Sequence, residues 1–257
     1  MPKVFIGTSG YIYPHWEGIF YPGDWPKSKK LEYYSQHFDT VELNNTFYRL
    51  PGEKAFEGWR KRTPKNFIFA VKVSRFITHV KKLVDCSQAW KIFLKRALIL
   101  KEKLGPFLFQ LPPFLKADPK KLKDFLNSIT QPLGHSVTRP LRFAFEFRNE
   151  SWCKEEIYEI LREKNCALVI ADSPSWPKVY QVTADFVYLR MHGSKILFGS
   201  KYTKKELESL AERIKKWGKQ NLEVYVYFNN DVRGYAIENA RELKQLIFGK
   251  KKSKIQR

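Results

Sequence analysis

The chain has 257 residues, 43% of them hydrophobic, which is enough for one large core or two small ones. No apolar run approaches the roughly 18 residues needed to span a bilayer, and the N-terminus runs straight into the strand-like Lys3-Val4-Phe5-Ile6-Gly7; a cytoplasmic chain without membrane contact is expected. Three cysteines without CxxC spacing (Cys86, Cys153, Cys166) argue against a disulfide framework or thiolate zinc site, whereas a formal net charge of +21 makes nucleic acid a candidate partner.

The lysines recur on nearly every predicted helix, as at Lys29-Lys30, Lys120-Lys121 and Lys215-Lys216, a spread that also suits a thermophile-like surface. Val4 to Gly7 predicts a first strand, followed by an aromatic loop from Tyr11 to Trp25 and a helix near Lys29 to His37. Strands at Thr40 to Asn44 and Phe67 to Val73 flank a helix at Ala55 to Lys61. Trp90, Phe93, Leu94, Ala97 and Leu98 recur at helical spacing. Pro106 to Leu111 is a fourth strand, stopped by Pro112-Pro113. Asp118-Pro119 signals a helix start ahead of Leu122, Phe125, Leu126 and Ile129.

Phe143 to Arg148 alternates as a fifth strand, with Ala144, Glu146 and Arg148 on one face and three phenylalanines on the other. A sixth strand at Ala167 to Ala171 leads into a Pro- and Trp-containing connection, and Phe186 to His192 is the seventh. Thr203 with Glu206 three residues on is a capping box for a helix carrying Leu207, Leu210, Ile214 and Trp217. Val224 to Phe228 is the eighth strand, and Ile237, Ala240, Leu243 and Leu246 mark a last helix. This alternation predicts an α/β fold, a single-domain (β/α)8 TIM barrel over 1–248, with a basic tail at 249–257. A doubly wound sheet is the competing architecture, but Gly7-Thr8-Ser9-Gly10 is a weak version of its phosphate turn.

Seven motifs then stand in order. Three are Gly7-Thr8-Ser9-Gly10-Tyr11, Val41 to Pro51 and Phe69 to His79. The others are Leu108 to Pro113, Glu146 to Trp152, Tyr188 to Gly193 and Tyr227 to Asp231. On these the chain resembles the YecE-like family, the domain-of-unknown-function-72 family, from Val4 to about Leu246. The resemblance implies a TIM barrel and an intracellular protein, and it implies no particular reaction. One departure is Tyr11-Ile12-Tyr13, where the family usually carries tryptophan and serine.

Catalytic groups of such barrels sit at the C-terminal strand ends. One parity per strand gives an inward set of Glu42, Asn44, Lys72, Ser74, Gln110, Glu146, Arg148, Asp172, Arg190, His192, Tyr227 and Asn229, with Tyr11 and Tyr48 as loop aromatics. Nearly balanced charge favours an anionic, phosphate-containing substrate over a multi-metal centre; a lone divalent ion on Glu42, Glu146, Asp172 and His192 would meet Lys72 and Arg190. No cofactor is implied. The expected hydrolase-type mechanism uses Glu146 as base, His192 as acid, Asp172 to orient, and Arg190 and Lys72 as the anion clamp. Lys72 also has a Schiff-base reading. The alternatives are a glycosidase-like pair of carboxylates with Trp16, Tyr11, Phe47 and Tyr48 stacking a sugar, and a non-catalytic nucleic-acid-binding module. His15, His37, His79 and His135 are expected to be surface, loop or capping residues, because no metal-ligand spacing joins them.

Overall fold

A computed structural model of the chain describes residues 3–130 and 140–249; His135 and the basic stretch 250–257 lie outside them. Eight parallel strands form the sheet: β1 (Val4–Thr8), β2 (Thr40–Leu43), β3 (Ile68–Lys72), β4 (Leu104–Gln110), β5 (Phe143–Glu146), β6 (Ala167–Asp172), β7 (Phe186–Met191) and β8 (Glu223–Phe228). They pair in the order β1-β8-β7-β6-β5-β4-β3-β2. The remaining gap, between β1 and β2, is bridged at Ser9 and Glu42, where Gly10 N donates to the Glu42 carbonyl at 2.8 Å. The TIM barrel expected from the alternation is therefore present.

Helices α1 (Lys30–His37), α2 (Asn45–Tyr48), α3 (Glu53–Lys61), α4 (Ser87–Ala97), α5 (Pro119–Ile129), α6 (Glu155–Glu163), α7 (Lys204–Lys219) and α8 (Tyr235–Phe248) surround it. Both helix-start signals are realised: Asp118 accepts from Lys121 N at 2.9 Å, and Thr203 and Glu206 form the reciprocal capping box. Residues 173–185, between β6 and β7, form no helix, and Pro174 and Pro177 interrupt any helical hydrogen-bond run there.

The alternation sorts side chains into two cores. Leu168, Ile170, Val224 and Val226 face the helices, while Ala70, Ala144, Ala167, Val169, Tyr188, Tyr225 and Tyr227 fill the barrel interior. Alanines on β3, β5 and β6 leave room for three tyrosines from β7 and β8. Two of them hydrogen-bond toward β2, where Tyr188 donates to Glu42 Oε2 at 2.7 Å and Tyr227 pairs with Thr40 Oγ1 at 2.7 Å, whereas Tyr225 bonds Arg142 and Glu223 at the N-terminal strand ends.

Candidate functional site

Four charged side chains, from β2, β5, the segment just after β5, and β7, meet just above the tyrosines. Arg190 lies between two carboxylates. Its Nε and Nη2 donate to Glu42 Oε2 (2.9 Å) and Oε1 (2.7 Å), and its Nη1 donates to Glu146 Oε2 at 2.6 Å. Arg148 Nε completes the set on Glu146 Oε1 at 2.7 Å, and the Ser9 hydroxyl donates to Glu42. Side-chain exposure is 0% for Glu42 and Glu146 and 1% for Arg190. Such burial is tolerable because the two carboxylates and two guanidiniums cancel and their polar atoms are hydrogen-bonded. Burial alone would raise the Glu146 pKa; the charges of Arg190 and Arg148 overcome it and hold the carboxyl well below the usual range. Glu42 is lowered in the same way, chiefly by Arg190 against burial.

A cavity of about 800 Å³ opens above this layer at the C-terminal strand ends. Lys72, Arg148, Asn44, Gln110, Asn229 and Asp231 line it, and Arg190 reaches it from below. Tyr11 and Tyr48 also border it; Tyr48 stands at the rim with 72% of its surface exposed. Arg148 stacks on Trp176, its Cζ 3.5 Å from the ring centroid, and among the described residues its terminal nitrogens carry no hydrogen bond. Lys72 Nζ lies 4.1 Å from the Phe47 centroid, and burial followed by the Arg190 charge lowers its pKa to about 7.

Other residues expected at the site are placed differently. Glu42, Glu146 and His192 sit beneath the cavity and do not line it. His192 is fully buried, with Nδ1 3.0 Å from the Asn229 amide nitrogen and Nε2 3.5 Å from Glu146 Oε2. Burial pushes its pKa down to about 4, so at neutral pH the ring is uncharged. Tyr227 lies one layer deeper, against Thr40. Asp172 has the opposite parity: β6 turns Ala167 and Val169 inward, which sends Leu168, Ile170 and Asp172 toward the helices. There Asp172 pairs with Lys178 and lines a separate depression of about 320 Å³ against α7. The four-residue metal set is not assembled, since Arg190 occupies the space between the glutamates and Asp172 is on another face. No cluster of three metal-ligating side chains occurs among the described residues. Trp16 is 0% exposed and packs edge-on to Phe20, which makes it lid core rather than a sugar platform.

A family model described as protein of unknown function DUF72 matches residues 5–256. The chain belongs to the DUF72 family. It is 27% identical to UPF0759 protein YunF of Bacillus subtilis, over 95% of this chain and 94% of that one. A DUF72 family protein of known structure from Thermotoga maritima superimposes with a TM-score of 0.82 at 31% identity, covering 95% of this chain and 99% of that chain. A xylose isomerase-like TIM barrel in a dioxygenase fusion protein shares the fold alone, with a TM-score of 0.55 at 13% identity over 96% of this chain and 43% of the other. No helix among the described residues is long and apolar enough to cross a membrane.

Three groups in or beneath this DUF72 cavity escaped the strand-parity reading. Asp231 accepts from Trp16 Nε1 at 2.7 Å and lies 3.0 Å from His15 Nε2, and burial raises its pKa despite the His15 charge. His79, in a π-helical turn (Phe76–Val80), places Nε2 3.4 Å from Gln110 Nε2; burial lowers its pKa to about 4. Ser9 donates to Glu42 and accepts from Asn44 Nδ2 at 2.7 Å. Two of these were legible. Ser9 continues the parity of Phe5 and Gly7, and Asp231 that of Tyr227 and Asn229. His15 and His79 sit on loops whose course no alternation specifies.

Proposed function

We propose that the barrel mouth binds and transforms a small anionic molecule bearing a phosphate or carboxylate. One observation carries this: the terminal nitrogens of Arg148, which is held to Glu146 through Nε alone, and the Lys72 amine both face the cavity with no hydrogen-bond acceptor among the described residues. A guanidinium with one edge anchored to Glu146 and its plane fixed on Trp176 is pre-organised for an oxyanion. The hydrolase-type chemistry keeps its substrate class and changes its residues. Glu146 and His192 become positioning groups, because neither reaches the cavity. Asp231, the carboxylate among the cavity-lining residues, is the base, with His15 as its partner. A glycosidase-like mechanism wants two carboxylates facing the substrate, and the cavity presents one.

Titration calorimetry with inorganic phosphate and small phosphate esters tests the reading. Arg148→Met should weaken binding roughly 10- to 150-fold, the loss of one or two charge-assisted hydrogen bonds. Unchanged affinity in that variant would overturn it.

A second reading rests on the rim. Tyr48, Phe76 and Phe114, on the segments that follow β2, β3 and β4, are 72%, 46% and 66% exposed, and Lys82 lies 5.4 Å over the Phe114 ring. Exposed rings beside cations suit stacking of single-stranded bases.

A further inference from the structure

Lys72 enters the cavity from the end of β3, and α2 fixes what it meets. Thr46 Oγ1 donates to the Lys72 carbonyl at 2.6 Å and approaches the Leu43 carbonyl at 3.0 Å, which locks the short helix against β3. The next residue, Phe47, then presents its ring 4.1 Å from Nζ. Only 9% of Lys72 is exposed, and what is exposed faces the cavity. Both buried glutamates are already taken up by Arg190 and Arg148. A protonated amine here loses most of its hydration and gains a phenyl face, while Arg190 and Arg148 repel it. The neutral amine is favoured, with its pKa near 7.

A structural lysine would be expected to end on a carboxylate or on backbone carbonyls. Lys103 does so, donating to the Arg60 and Thr63 carbonyls at 2.6 Å each. Lys30 does so too, reaching Glu17 at 2.7 Å. Lys72 is also buried, yet it ends on no acceptor among the described residues.

We propose that Lys72 is a nucleophile that forms an imine with an aldehyde or ketone carbon of the substrate, an inference that rests on the anion-binding reading for the substrate's charged end. The Nζ lone pair adds to the carbonyl carbon, and the carbonyl π pair moves onto oxygen. That oxygen takes one proton from the nitrogen and a second from Asp231 or solvent, and leaves as water while the remaining nitrogen lone pair forms the C=N bond. The product is a protonated imine and one water, and no redox partner is involved. Arg148 holds the anionic group, so the class of substrate is a small phosphorylated or carboxylated carbonyl compound.

The test is reductive trapping of the full chain with glyceraldehyde 3-phosphate and cyanoborohydride at pH 7, at substoichiometric aldehyde, read by peptide mapping. Surface lysines with pKa near ~10.4 are almost wholly protonated at that pH, so the first adduct should map to Lys72. Its yield should follow pH with a midpoint near 7, and Lys72→Arg should lower it at least tenfold. Lys72→Met serves where the arginine variant does not fold. Adducts scattered over surface lysines with Lys72 unmodified would overturn the inference, and this readout needs no variant. Phosphate binding measured on the same samples separates the two ideas. Binding that is lost in Arg148→Met, without trapping at Lys72, leaves the anion site standing and removes the nucleophile. Absence of both removes both.

Discussion

Arg190 shows what a single side chain decides in this barrel. With Glu42 on one side and Glu146 on the other, it pairs with two carboxylates that have no access to water, sharing Glu146 with Arg148. Removing it strands Glu42 and leaves Glu146 with Arg148 alone, so Arg190→Met should cost about 3–5 kcal/mol, roughly 6–20 °C in melting temperature by differential scanning fluorimetry. Adding Glu42→Gln and Glu146→Gln should recover part of that loss, because the stranded charges go with it. A melting temperature unchanged in the single variant would mean that the quartet contributes nothing to stability.

The same layer sets the acid response. Glu146 and Glu42 have folded pKa values below the unfolded value of about 4.3, so their contribution is complete above that pH and is lost as pH falls through the folded values. His192 acts in a higher window. Its folded value of about 4 lies below the unfolded value of about 6.5, so the unfolded chain binds the extra proton between them and stability declines as pH falls from about 6.5 to 4. Melting temperature should therefore begin to drop below pH ~6.5, ahead of carboxylate protonation. His192→Asn should flatten that upper slope, and His79, also lowered to about 4, should keep part of it.

At the scale of elements, the joint between β1 and β2 is the weakest seam in the sheet. Tyr34, from α1, puts its hydroxyl into the seam, where it accepts from Thr8 N at 2.9 Å and lies 3.1 Å from the Thr40 carbonyl. Beside it the strands approach so closely that a Cβ on Gly7 would fall 2.2 Å from the Thr40 carbonyl oxygen. A helix side chain thus supplies hydrogen bonds that strand pairing does not. Tyr34→Phe should leave buried backbone groups unsatisfied and lower stability by about 1–3 kcal/mol, read as a shift in the urea midpoint. An unshifted midpoint would show that water or the strands themselves replace the hydroxyl.

For the molecule as a whole, the surplus of positive charge is the outstanding feature. The buried quartet is balanced, so the net +21 of the chain is carried outside it. Binding of short single-stranded RNA or DNA, followed by fluorescence anisotropy, should weaken steeply with added salt if phosphates are contacted. Under the rim reading, Phe114→Ala should weaken it several-fold and Arg148→Met should not. Small-anion binding in the cavity should show the reverse pattern, and it separates an active site from a polyanion surface.

Strand order, helix caps and the identity of most inward residues were legible in the chain because β-structure alternates with period two and capping chemistry is local. The parity failed at Asp172, where the last residue of β6 followed Leu168 and Ile170 outward. What the sequence by itself determined was the barrel and most of the polar side chains that its strands turn inward. Only the tertiary structure decided which of them face each other. Glu42, Glu146 and Arg190 come from strands more than a hundred residues apart at their extremes, and their mutual pairing at 2.6–2.9 Å keeps both carboxylates beneath the cavity, which Arg190 reaches from below. Lys72, the terminal nitrogens of Arg148 and Asp231 face the cavity, with Arg148 anchored to Glu146 through Nε and Asp231 beside His15, a consequence of distances that no spacing along the chain encodes.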